Sequence, residues 1–159
     1  SETIQTMSTE LNVKVEKREA ASGAGLKLAS GAGPAEAGRL WGQLFNICGN
    51  SFAPDNAFGL QEDDGGYAAC WIIPGGRSAP EGLIPADMPG GWYAVAVHEG
   101  GYDRIGDTIT TMVDEWLPHG GFRRAKGPVV ERYLNDPRET PEEALRTEIC
   151  LPVAPDPIE

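Results

Sequence analysis

From residue 11 onward the chain passes twice through one order of signals, strand, helix and hairpin, and this repetition limits its fold more than any single motif does. In the first pass, residues 11–18 (LNVKVEKR) alternate apolar and polar as a half-buried strand does, and residues 24–29 offer a neighbour across the glycines. Gly33-Pro34 then opens a helix in which Ala37, Leu40, Trp41, Leu44, Phe45 and Cys48 recur at helical spacing, with proline suited to the first turn. Residues 56–61 and 67–73 flank the acidic turn EDDGG as a hairpin, closed by Pro74-Gly75-Gly76.

The second pass begins with strands over 82–86 and 91–99 (GWYAVAVHE), set around Met88-Pro89-Gly90. A helix over 102–117 follows, with Ile105, Ile109, Met112, Val113 and Trp116 on one face and Pro118 with Gly120-Gly121 to stop it. Strands over 128–134 and 145–153 complete the set around NDPRETPEE, where Thr140 is placed as the cap of a short helical turn. The halves, about 11–76 and 80–159, predict an α+β fold: tandem βαββ units forming one curved antiparallel sheet, with two helices on one face and a ligand groove between the halves. The cleft is expected on the face away from the helices. Residues 11–159 then make a single domain behind a flexible, polar segment, 1–10.

Composition excludes several classes. A net charge of −11 and a pI near 4.6 repel phosphate backbones and anionic bilayers, so no direct nucleic-acid or membrane partner is expected. The same acidity serves solubility and selects no ligand by itself. The first ten residues lack a basic, then apolar, leader pattern and no apolar run is long enough to span a bilayer, which gives a cytoplasmic expectation. Cys48, Cys70 and Cys150 are odd in number and set in apolar sequence, as reduced core residues are. His98 and His119 stand far apart, without a nucleophile elbow or HxxxH spacing. The glycine clusters fit neither a dinucleotide fingerprint nor a phosphate loop, so no cofactor and no metal is expected.

One residue stands against its surroundings. In PVVERYL, the alternation places Val129, Glu131 and Tyr133 on one face of a strand, so a carboxylate sits inside an otherwise apolar run. Glu131 either faces a cleft or pairs as an edge-strand acid with Arg132 of a neighbouring strand, Arg123 or Arg124. If it faces a cleft, Tyr133 with Trp71, Trp92 and Tyr93 from neighbouring strands would place rings around a negative charge, an arrangement suited to a lipophilic cation. Trp41 and Trp116 lie on the buried helix stripes and are read as core, with no functional role.

The segments VVERYLNDPRETPEEALRTEICLPV and IPADMPGGWYAVAVHEGGYDRIGDTITTMVDEWLP resemble the GyrI-like domain, which is also the effector-binding domain of AraC- and MerR-class multidrug regulators. The resemblance is close over 82–153 and holds only in pattern over 11–74. It implies a tandem βαββ fold with a central groove, a strand glutamate at Glu131 that attracts cationic drugs, and aromatic partners at Tyr133 and Tyr93. No helix-turn-helix segment is present, so the chain looks like a free-standing form or a module whose DNA-binding partner is another chain; the partners expected are a second copy in a homodimer or that separate DNA-binding chain. The function so implied is binding of cationic, amphipathic aromatic molecules as a sensor or sequestering module. The alternatives are a hydrolase of reactive drug-like electrophiles, with Glu131 as base and Tyr133 as acid, and a protein inhibitor of gyrase.

Overall fold

The computed structural model describes residues 11–31, 33–49, 53–75 and 77–157; the flexible segment expected over 1–10 lies outside them. Its strands are β1 (Lys14–Arg18), β2 (Gly23–Leu28), β3 (Ala57–Gln61), β4 (Tyr67–Ile72), β5 (Ile84–Pro85), β6 (Gly91–Glu99), β7 (Phe122–Arg124), β8 (Val129–Tyr133) and β9 (Arg146–Pro155). They pair antiparallel in the order β1-β6-β9-β8-β3-β4-β2-β5, with β7 added alongside β9. The inner six read β6-β9-β8 and then β3-β4-β2, so the two βαββ halves meet back to back at the β8–β3 pair. The fold is therefore the α+β sheet the repetition predicts.

The edge strands differ from expectation. β1 does not lie beside β2; it crosses to the second half and pairs with β6, Val15 opposite Ala94. Val13 is thereby buried with Ala94 and Ile149, and the Arg18 guanidinium bonds Glu148 at 2.8 Å. In return the second half gives β5 to β2, Ile84 opposite Gly25, rather than to β6. Each half is closed by a strand from the other, which a local hairpin reading cannot foresee.

Helix α1 (Pro34–Cys48) opens at Gly33, whose N–H donates to Glu36 Oε1 at 3.0 Å, and carries Leu40, Leu44 and Cys48 four residues apart onto Ala69 and Trp71. The second helical segment is a 3-10 turn (Tyr102–Arg104), α2 (Ile105–Thr111), a π turn (Met112–Trp116) and a last 3-10 turn (Leu117–His119) that runs through Pro118. Its stripe of Ile105, Met112 and Trp116 packs on Ala94, Ala96, Ile149 and Leu151. The short turn over Glu142–Ala144 is led by Pro141, with no side-chain cap from Thr140.

Strand alternation sorts the remaining residues by face. The face away from the helices is a filled core, in which Phe58, Leu60, Tyr93, Val95 and Val130 pack under Ala86 and Met88. The expected cleft is therefore not there; the excursion between β4 and β6 covers that face. No helix among the described residues is long and apolar enough to cross a membrane.

Candidate functional site

The open space lies on the helix side, at the seam between the halves. α1 packs on β2 and β4 and α2 on β9, while β3 and β8 run side by side between them. On this seam Gly59 sits opposite Glu131, with Ile149 of β9 on the other side of Glu131. Gln61 lies between Val129 of β8 and Tyr67 of β4. A cavity of about 300 Å³ opens above them, at the small end of the range for small-molecule sites of roughly 300–1,000 Å³. Trp41 of α1, Tyr67, Tyr133 and Tyr102 supply its rings, and Gln61 and Glu131 its polar floor. Trp41, Tyr102 and Tyr133 also border a second, apolar space of about 220 Å³ that continues towards Phe45, Ala57 and Pro137. Tyr133 is held edge-on by both neighbours, 5.3 Å from Trp41 and 5.6 Å from Tyr102 between ring centroids.

Glu131 is 3% exposed. Its Oε1 accepts from the Tyr133 hydroxyl at 2.9 Å and its Oε2 from the Gln61 amide at 2.7 Å. No arginine or lysine bridges it among the described residues, so Arg132, Arg123 and Arg124 do not neutralise it. Arg132 points to the opposite face, where it donates to the Asp55 carbonyl at 3.0 Å. Burial pushes the Glu131 carboxyl above the ordinary carboxylate range, against the two hydrogen bonds that pull it down. Burial and the nearby carboxylate likewise push the Tyr133 and Tyr67 phenols up, so both stay protonated donors.

Gly59 makes this packing possible. A Cβ there would fall 2.5 Å from Tyr133 Oη, 2.8 Å from Tyr67 Oη and 3.1 Å from Glu131 Oε1, so only a bare backbone leaves room for the polar floor.

Two of the five residues singled out from sequence, Glu131 and Tyr133, meet in this cavity. The other three are not among its lining residues. Trp71 shares the correct face but lies under α1, 1% exposed among Leu40 and Leu44. Trp92 also has helix-face parity, yet it stands at the beginning of β6 and is 46% exposed. Tyr93 points to the opposite core and donates to the Pro89 carbonyl at 2.6 Å. Conversely Trp41, read as core, borders the cavity and donates its indole N–H to Tyr67 Oη at 2.8 Å. Gln61 and Tyr102 carry no motif; for Gly59 the signal was a glycine inside an apolar strand. Among the described residues no group of three or more His, Cys, Asp or Glu could hold a metal ion.

A match to the GyrI-like small molecule binding domain spans residues 51–154, from before β3 almost to the end of β9, and so takes in both seam strands. The chain belongs to this family. Within it, this GyrI-like domain is 34% identical over 73 residues to the probable transcriptional regulator YgiV of Escherichia coli strain K12. That match covers 46% of the chain and 46% of the relative, so the chain spans about half the length of the curated relative it matches. In fold it resembles the EcmrR C-terminal domain, with a TM-score of 0.75 and 14% identity over 93% of this chain and 100% of that one. It also resembles SAV2435 bound to tetraphenylphosphonium, with a TM-score of 0.56 and 17% identity over 90% and 94%. At such identities the structural likeness concerns the fold of the GyrI-like domain.

Proposed function

We propose that this GyrI-like domain binds cationic, amphipathic aromatic small molecules in the seam cavity, with Glu131 as the counter-charge and Tyr133, Trp41 and Tyr102 as the ring walls, and that it serves as a sensor or sequestering module. The observation that carries this reading is a carboxylate, 3% exposed, that faces a ring-lined space and forms no ion pair among the described residues. A buried acid of this kind is unfavourable when the cavity is empty, and a positive guest relieves it. At about 4 Å and an effective dielectric near 20, a unit cation gains roughly 4 kcal/mol before dehydration is subtracted. Each well-placed ring adds about 0.5–2 kcal/mol. The phosphonium ion held by SAV2435, a protein of the same fold, is a guest of this class and supports the reading.

The test is a titration with tetraphenylphosphonium and its anionic isostere tetraphenylborate, followed by intrinsic tryptophan emission, to which Trp41 in the cavity wall contributes. The phosphonium is expected to quench saturably and the borate to leave emission unchanged. Equal responses to both ions remove charge from the recognition.

A further inference from the structure

We infer that the cavity selects cations bearing N–H donors, such as protonated amines and amidinium groups, over quaternary ammonium and phosphonium ions of matched ring content. This narrows the function proposed above and rests on it. The direction of the hydrogen-bond chain across the floor carries the inference. The indole nitrogen of Trp41 can only donate, and it donates to Tyr67 Oη at 2.8 Å. Tyr133 gives its single hydroxyl hydrogen to Glu131 Oε1 at 2.9 Å. The 3.0 Å contact between the two phenols is therefore made by the Tyr67 hydrogen on the Tyr133 oxygen. All three donors run towards Glu131 and are used within the wall.

Acceptors remain. Glu131 Oε1 accepts from Tyr133 and Oε2 from Gln61, and each oxygen keeps further lone-pair capacity. With a cation bound Glu131 is ionised, and because a carboxylate only accepts, Gln61 turns its NH₂ to Glu131 and leaves its carbonyl oxygen on the other branch of the amide. The exposed Asp103 adds a carboxylate at the margin. Against these stand one amide hydrogen of Gln61 and the hydroxyl of Tyr102, which is 38% exposed. A quaternary ion offers such a floor only C–H groups, and it strips water from acceptors while returning no donor. An ammonium or amidinium group leaves more hydration behind, and charge-assisted bonds to Glu131 and Gln61 replace it.

Calorimetric titration of the intact chain at neutral pH with three probes tests this: 2-naphthylmethylammonium, its N,N,N-trimethyl derivative and the neutral 2-naphthylmethanol. The primary ammonium should bind at least about tenfold more tightly than the trimethyl ion. Gln61→Leu, at a partly buried position, should lower that ratio about threefold or more. Equal or reversed affinities of the two cations, both tighter than the alcohol, overturn the N–H selection and leave the cation reading standing. A ratio untouched by Gln61→Leu also overturns it. Cations no tighter than the alcohol overturn both.

Discussion

Replacing Glu131 with glutamine keeps the side chain's size and removes its charge, and it should separate binding from stability. A cation about 4 Å from the carboxylate gains roughly 4 kcal/mol at an effective dielectric near 20, and dehydration of both partners takes back part of it. The net loss in Glu131→Gln is at least about 1.4 kcal/mol, a tenfold weaker Kd for tetraphenylphosphonium. Folding should respond oppositely. The Glu131 carboxyl is raised by burial, so between the ordinary carboxylate value and the raised one the folded state holds more protons than the unfolded state. Stability from this group is therefore lost as pH rises through that window, and the glutamine variant lacks the loss. The amide still serves both neighbours: its oxygen accepts from one, and its NH₂ turns to the other, through an amide flip at Gln61 or reversal of the tyrosine chain. The variant should thus be at least as stable as the parent at about pH 8, with a flatter pH dependence down to about pH 5. Calorimetric titration paired with thermal unfolding at both pH values reads the two effects. Affinity within about twofold of the parent refutes Glu131 as the counter-charge, and a variant about 1 kcal/mol less stable refutes the idea that the buried charge opposes folding.

Three further outcomes follow from the same geometry. The affinity for a permanently charged guest should climb with pH by up to about tenfold per unit below the raised Glu131 value and level off above it, with proton release visible as a buffer-dependent binding heat; a flat profile contradicts the protonation of the empty site. Gly59→Ala should destabilise the protein by about 1–3 kcal/mol in urea unfolding and weaken binding together, because its methyl group meets Tyr133, Tyr67 and Glu131; parental stability would show that the floor is not tightly packed. Trp71→Phe should leave guest affinity within about twofold, since Trp71 is buried under α1 and its indole N–H has no partner among the described residues; a large loss would return Trp71 to the site.

The sequence and the structure agree most where hydrophobic periodicity is strong. The α1 and α2 stripes, the β3–β4 hairpin and the Val129-Glu131-Tyr133 face are all legible, because a period of two or of about four residues fixes which side chains share a surface. The edge strands were not, since pairing of β1 with β6 and of β5 with β2 is a long-range choice that no local pattern encodes. Face parity alone also misleads about a site. Tyr67 and Trp71 point the same way from β4, yet one reaches the seam and the other lies beneath α1; the difference is position along the strand relative to the helix above it. Trp41 shows the converse, a helix-stripe aromatic at the border of its stripe whose indole faces the seam. The cleft lies in the other layer from the one expected for a related reason: α1 packs on β2 and β4 and α2 on β9, which leaves the β3–β8 seam open between them, while the excursion between β4 and β6 fills the far side.

The most direct measurement is a crystal structure of the protein with tetraphenylphosphonium. The account predicts the phosphorus beside the Glu131 carboxylate at the β3–β8 seam, with phenyl rings against Trp41, Tyr133 and Tyr102. Density for the ion at the exposed Trp92, or over the Tyr93 core face with the seam left empty, would contradict it.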